Sequence, residues 1–222
     1  MLIAAGRVSL DGHTAVLGDR AEPESARIEI DGIPLPVAPA LTYYLLYKPP
    51  GVVSTRSDPQ GRSTVVDLVP DTPPVYPVGR LDADSEGLLL LTNDGGLTQL
   101  VTHPSGEITK TYTALVDGEP TKATIRRLVD GVDLDDGPAS AVTARIVDSS
   151  RGEALVEIVM GEGRKREVRR MCAAIGHPVL RLVRTAIGPL RDGSLKPGAW
   201  RVLSIVEVRS LYAAAAEVTS DD

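Results

Sequence analysis

Cysteine is almost absent: Cys172 is the single one in 222 residues. No disulfide can form within the chain and no Cys-rich zinc site is possible, so a reduced, cytosolic protein is expected. Phenylalanine is missing altogether, and six Tyr and one Trp are the only aromatic side chains. Aliphatic residues must therefore fill the core, and a tyrosine in a polar setting becomes a candidate for function. The histidines His13, His103 and His177 lie too far apart in sequence to form a local metal motif, and none has a cysteine partner. Purely apolar runs are only a few residues long, and the start of the chain lacks the basic opening of a secretory leader. Neither a membrane span nor a targeting segment is expected. The phosphate-cradling pattern G-x-x-x-x-G-K-[ST] and the nucleophile elbow G-x-S-x-G are both missing. Asp82-Ala83-Asp84-Ser85-Glu86-Gly87 begins like a calcium loop, but the twelfth position is Asn93 and the second half is the apolar Leu88-Leu89-Leu90-Leu91. Calcium is thereby excluded.

What is present is an ordinary globular balance, 42% hydrophobic and 24% charged, long enough for one or two domains. The net charge of −6 argues against a polyanionic partner, but its distribution argues for one. Residues 161–191 hold eight Lys/Arg (Arg164, Lys165, Arg166, Arg169, Arg170, Arg181, Arg184 and Arg191) against Glu162 and Glu167, a local +6 on a remainder of −12. A basic segment on an acidic body is a focused electrostatic footprint. A solvated helix face with a few ion pairs is the plainer reading. Continuation of the arginines from the helix into residues 179–184 favours the functional one.

Residues 7–10, 14–17 and 27–30 are short alternating runs broken by Asp11-Gly12, Gly18-Asp19 and Asp31-Gly32, which are turn signals. Pro34, Pro36 and Pro39 then suggest a stiff linker. Further strands are predicted at 43–47, 75–78, 88–92, 109–116, 141–147, 154–160, 179–187 and 200–203. Helices are predicted at 64–69, 96–102, 121–129, within 161–176, and at 205–216, with residues 218–222 frayed. Strands without a regular βαβ rhythm indicate an α+β fold with a mixed, mostly antiparallel sheet.

The most informative stretch is Tyr76 to Asp94, YPVGRLDADSEGLLLLTND. Here Gly79-Arg80-Leu81-Asp82 is a polar turn pressed between two apolar runs that read as buried strands. It delivers an arginine and a carboxylate to the rim of a core, where a carboxylate is usually paired or used for chemistry. With no metal motif and no histidine partner, such a carboxylate suits chemistry at an anomeric carbon. Asp84 and Glu86 read as turn residues, so a second catalytic carboxylate is not evident. Tyr112, after Lys110-Thr111, sits mid-strand; the plain reading is a half-buried strand tyrosine. In GEGRKREVRRMCAAIG, residues Val168, Met171, Cys172 and Ile175 fall at helical spacing and would bind the helix to the core. Lys165, Arg166 and Arg170 would then be free for phosphates.

Gly79-Arg80-Leu81-Asp82 followed by Glu86-Gly87-Leu88-Leu89-Leu90-Leu91-Thr92-Asn93-Asp94-Gly95 resembles the catalytic motif of the pseudouridine synthases. The resemblance extends to Tyr47-Lys48-Pro49-Pro50-Gly51, to Lys110-Thr111-Tyr112 and to Gly161 through Leu190. The branch it resembles is the RsuA/RluB type, which modifies ribosomal RNA, and the similarity covers about residues 40–212. It implies a catalytic domain of pseudouridine synthase type over residues 39–222. Residues 1–38 are similar to the later part of a small α-L RNA-binding module, from Ala4-Ala5-Gly6-Arg7-Val8 onward, without its opening helices. With three Arg against six Asp/Glu over residues 1–40, that truncated module is expected to contribute little to RNA binding. The resemblance further implies that Asp82 is the essential aspartate of a cofactor-free, metal-free isomerisation in which uracil leaves its ribose, turns and rejoins through carbon 5. Whether the aspartate attacks the sugar, attacks the base or deprotonates the ribose stays open. Tyr112 would contact the flipped base and take part in proton removal at carbon 5. Val168 would line the uracil pocket, and Arg169 would pair with Asp82. A uridine inside a helix must be extruded before its glycosidic bond is reached, and Arg80 could fill the vacated space. Arg164, Lys165, Arg166 and Arg170 would meet RNA phosphates. Arg166-Glu167 stands where small-subunit enzymes tend to carry a His-Gln pair, which favours a large-subunit target. A cytoplasmic monomer acting on ribosomal RNA or a ribosomal-subunit precursor is the expectation. Two rivals stand beside it: a non-catalytic RNA-binding or ribosome-assembly protein of the same fold, and a base-removing glycosylase using Asp82.

Overall fold

The computed structural model describes residues 3–21, 26–30, 32–34, 41–102 and 108–219. The chain divides into two units, Met1–Leu41 and Thr42–Asp222. The first unit holds four short antiparallel strands, β1 (Val8–Leu10), β2 (His13–Thr14), β3 (Ile28–Ile30) and β4 (Ile33–Pro34), in the order β2-β1-β3-β4. Asp11 and Gly12, with φ of 48° and 85°, turn β1 into β2, the double left-handed geometry that matches strand twist in a two-residue hairpin loop. The strand expected at 14–17 stops at Thr14 because Val16 and Leu17 stand 63% and 72% exposed with no sheet to cover them. Of the proline linker, Pro34 belongs to β4; Pro36 and Pro39 lie outside the described residues, as do residues 220–222 at the other end.

The second unit runs β5 (Tyr43–Lys48), a 3-10 turn (Val65–Leu68), β6 (Tyr76–Val78), β7 (Glu86–Thr92), α1 (Gly95–Thr102), β8 (Lys110–Asp117), α2 (Lys122–Asp130), β9 (Val132–Leu134), β10 (Gly137–Ala139), β11 (Thr143–Ser150), β12 (Glu153–Met160), α3 (Glu167–Ala174), β13 (Val179–Ile187), β14 (Leu190–Arg191), β15 (Trp200–Val202) and α4 (Ile205–Thr219). The main sheet has the order β11-β12-β8-β13-β7-β5-β15, with β14 on β13 and β6 on β7. Its pairs are antiparallel except β7 with β13, which is parallel. This is the α+β, mostly antiparallel architecture expected.

The leucine run sets the centre. Every residue of β7 is buried, because alternate side chains enter different layers. Leu88 and Leu90 join Leu97 and Val101 of α1 and Val208 and Leu211 of α4. Leu89 and Leu91 join Tyr44, Leu46 and Val65. Further along the sheet, α2 and α3 bury Ile125, Leu128, Met171 and Cys172 against Val156 and Ile158. Each such side chain stabilises the fold by about 1.5–3 kcal/mol relative to an exposed one. Burial pushes the Cys172 thiol up to about 12, which makes it an inert filler. Asp94 ties the layers together. It accepts from the Leu97 amide at 3.0 Å, capping α1, and from the Tyr43 and Tyr212 hydroxyls at 2.7 and 2.6 Å.

Two departures bear on the site. The basic helix is shorter than its sequence stretch: α3 starts at Glu167, after Arg166 turns into the left-handed region with φ 52°. The hairpin β9–β10 was not expected; its strands are three residues each, too short for a periodic signal, and its loop carries Asp135 and Asp136.

Candidate active site

The turn between β6 and β7 leads into the parallel pairing of β7 with β13. Gly79, with φ 73°, opens it, and Glu86 and Gly87 close it on the parallel neighbour β13. A cavity of about 280 Å³ forms against this turn, lined among others by Arg80, Asp82, Tyr112, Arg166, Val168 and Arg184. That is near the lower end of small-molecule site sizes. Asp82 is half-buried, Tyr112 half-buried, Arg80 exposed and Val168 5% exposed within the α2–α3 core layer. The structure thus brings together, around one cavity, Asp82, Tyr112, Arg80 and Val168, which come from three distant stretches of sequence.

The expected partnership of Arg169 with Asp82 is not what the side chains do. Arg169 Nη2 donates to the Asp84 carbonyl at 3.1 Å and to Ser85 Oγ at 3.4 Å, Nη1 donates to the Val179 carbonyl at 3.2 Å, and Nε lies 3.5 Å from Asp84 Oδ2. The first turn of α3 faces the far side of the loop, so this guanidinium holds the backbone beyond Asp82. Among the described residues, no hydrogen bond or ion pair reaches the Asp82 carboxylate. Its cationic neighbours are Lys48 and Arg166, which feel its charge without touching it.

The arginines expected to be free for phosphates are mostly engaged. Arg166 makes a two-pronged pair with Asp84, at 3.0 and 2.9 Å, and its guanidinium holds the Asp84 carboxyl below its ordinary range. Arg170 bonds Asp135 at 2.6 Å and Asp136 at 2.7 and 2.9 Å on the β9–β10 loop. Arg164 reaches Glu167, Asp136 and Glu162. Burial and the adjoining Glu162 push the Glu167 carboxyl up against the opposing pull of Arg164. Arg181 clamps Glu86 at 2.7 and 3.1 Å, holding that carboxyl low. Lys165 alone of the proposed phosphate contacts is exposed and, among the described residues, without a hydrogen bond. Replacing Lys165 with Ala should therefore lower the log–log salt slope of RNA binding by about one, the signature of one phosphate contact. Replacing Arg170 with Ala should instead lower the melting point and leave that slope nearly unchanged, because it removes the partner of Asp135 and one of the two arginines that hold Asp136. Filter binding across a salt series, with thermal melting, separates the two; a larger slope change for Arg170 would reverse the assignment.

Two residues given no individual role by the sequence reading prove central. Lys48 is fully buried at the end of β5 and donates to the carbonyls of Pro49 (3.0 Å), Ala83 (3.4 Å) and Ser85 (2.7 Å). Burial lowers its ammonium to about 8, with Arg184 pushing the same way and the carboxylates of Asp84, Asp82 and Glu86 opposing. Arg184, 4% exposed, donates from Nε to the Leu88 carbonyl (2.7 Å) and from Nη1 to the Arg80 carbonyl (3.4 Å), while its buried Nη2 has no partner among the described residues. Both cations grip carbonyls of the turn. A lysine closing an aromatic-aliphatic strand and an arginine inside a β-branched one were the available signals. Among the described residues, no cluster of three or more His, Cys, Asp or Glu is placed to hold a metal, and no helix is long and apolar enough to cross a membrane.

The sheet thus gathers a carboxylate, a tyrosine and a cationic frame around one cavity. The sequence profile of the RNA pseudouridylate synthase family matches residues 42–174. An uncharacterized RNA pseudouridine synthase of Mycobacterium tuberculosis strain H37Rv is 44% identical over 218 residues, covering 96% of this chain and 86% of that protein. Ribosomal large subunit pseudouridine synthase B of Bacillus subtilis is 39% identical over 217 residues, covering 96% and 88%. A crystal structure of a pseudouridylate synthase superposes with a TM-score of 0.70 at 27% identity, covering 95% of this chain and 90% of that one. The chain belongs to the RNA pseudouridylate synthase family and is an RNA pseudouridine synthase.

Proposed function

We propose that this enzyme converts one specific uridine of ribosomal RNA, in the large subunit, to pseudouridine after flipping it into the cavity beside Asp82. The observation that carries the reading is the convergence of Asp82, Tyr112, Arg80 and Val168 on that single cavity. The names of relatives at 39–40% identity, ribosomal large subunit pseudouridine synthase B of Bacillus subtilis and of Salmonella typhimurium, support the choice of RNA. The reaction breaks the bond from N1 to the ribose C1′ and makes one from C5 to C1′. A proton leaves C5 and N1 gains one, so no atom is added and no cofactor or metal is called for. Asp82, with the cations Lys48 and Arg166 nearby, acts at the glycosidic bond. Tyr112 faces the base and helps take the C5 proton. Arg80 enters the space the base leaves, and Val168 packs against the uracil ring. Arg169 is a positioning residue on the loop beyond Asp82. Lys165 meets phosphate, as do Arg164, Arg166 and Arg170 to the extent that RNA displaces their carboxylate partners. Residues 39–222 form the catalytic domain and carry recognition, residues 1–38 adding little, and the enzyme works as a cytoplasmic monomer.

Mapping pseudouridines in rRNA from cells with and without the gene tests the function. One large-subunit pseudouridine should disappear, and an unchanged map would defeat the proposal. Tyr112→Phe keeps the ring and loses the hydroxyl. It should lower kcat by about 10²-fold, the weight of a proton-transfer group, with RNA affinity nearly unchanged. A fall in affinity alone would make Tyr112 a binding residue.

A further inference from the structure

The Asp82 carboxylate has no hydrogen bond or ion pair among the described residues, and only the Asp82 carbonyl is held, by the Ser85 amide at 3.0 Å, so the direction of the carboxylate depends on the backbone around it. Besides the grip of Lys48, Arg169 and Arg184 on the turn, one segment of chain holds the residues on both sides of Asp82. The Ser54 hydroxyl donates to the Leu81 carbonyl at 2.8 Å and accepts from the Leu81 amide at 3.1 Å. Three residues earlier, the Gly51 amide donates to the Ala83 carbonyl at 2.7 Å. Both neighbours of Asp82 are thus fastened to residues 51–54. The segment is itself anchored: Val53 exchanges backbone hydrogen bonds with Ser63 and Val65, each at 3.0 Å, and Val52 is buried in the layer under β7. Leu81 is 6% exposed, so water is a poor substitute for the hydroxyl. A serine is suited to the task because a single oxygen both gives and takes a hydrogen bond.

We propose that Ser54 is a positioning residue for the isomerisation, fixing the aim of the Asp82 carboxylate through both polar groups of Leu81. The proposal rests on the reading of Asp82 as the reactive group. Small displacements of a reacting group are costly in rate and cheap in binding. Ser54→Ala should therefore lower kcat by about 10- to 100-fold, with KM and RNA affinity within about twofold and a melting point still well above the assay temperature. Ser54→Thr, which keeps the hydroxyl, should recover most of that rate. The experiment is steady-state kinetics of the full chain on a large-subunit rRNA transcript, with filter binding, thermal melting and Asp82→Asn run in parallel. A Ser54→Ala enzyme with wild-type kcat, a loss confined to KM, or a Thr variant as slow as the Ala variant would each overturn the clamp. If Asp82→Asn is inactive while Ser54→Ala is unimpaired, only the clamp fails; if Asp82→Asn turns over normally, the reading of the site itself fails.

Discussion

Asp82→Asn should abolish turnover while leaving the protein folded and able to bind RNA. Asparagine has the shape of aspartate without its charge, and the Asp82 carboxylate makes no hydrogen bond or ion pair among the described residues, so little stability depends on it. The turn stays fastened by Lys48 through the Ala83 and Ser85 carbonyls and by Arg184 through the Arg80 carbonyl. What is lost is the carboxylate proposed to act at the sugar–base bond. Removing a reacting side chain of this kind costs on the order of 10⁴-fold or more in kcat. Single-turnover assays on rRNA, paired with melting curves and filter binding, measure all of this. An Asn variant that isomerised uridine near the wild-type rate would remove Asp82 from the mechanism.

Much of this site was legible in the sequence, for a local reason. The turn at Gly79 to Asp82 announces itself because the residues on either side are apolar and must be buried. The basic stretch announces itself by composition. Who pairs with whom was not legible. Asp84 meets Arg166, and Glu86 meets Arg181, across gaps of 82 and 95 positions. Neither partner has any local mark that selects the other. The free-arginine expectation failed on Arg170 because its carboxylates sit on a hairpin of three-residue strands, below the length at which alternation can be read. The Arg169–Asp82 pairing, inferred by likeness, gave way to Asp84 because the side chain's reach is set by where α3 begins, and a left-handed Arg166 moved that start inward. Ser54 carries no signal at all: its role exists only once the chain returns to place Leu81 against it.

Gly87→Ala should be among the most damaging single substitutions in the chain, although it adds one methyl group. Gly87 closes the turn, within β7, with φ 111°, a conformation that costs an L-residue about 1–2 kcal/mol. It also faces β13 at the parallel crossing, where it registers with Arg184. A Cβ built there would lie 2.3 Å from the Arg184 carbonyl oxygen and 2.5 Å from its amide nitrogen. These are backbone atoms in the middle of a sheet and cannot swing aside like the end of a side chain. Overpacking against such neighbours costs about 1–3 kcal/mol, so a destabilisation of about 2–5 kcal/mol is expected for the pair of effects. For a chain of this size that lowers the melting point by about 4–20 °C. The damage should not stop at stability. Whichever strand yields, the spacing of β7 and β13 sets where the Arg184 guanidinium meets the Leu88 and Arg80 carbonyls. A folded Gly87→Ala protein assayed below its melting point should therefore still be slow in kcat. Gly95→Ala, at the start of α1 with nothing within 4 Å of the added methyl group, is the control and should leave both properties unchanged. Equal melting points for the two variants would show that the strands separate without cost. A stable but fully active Gly87→Ala enzyme would show that the grip of Arg184 on the turn does not depend on this crossing.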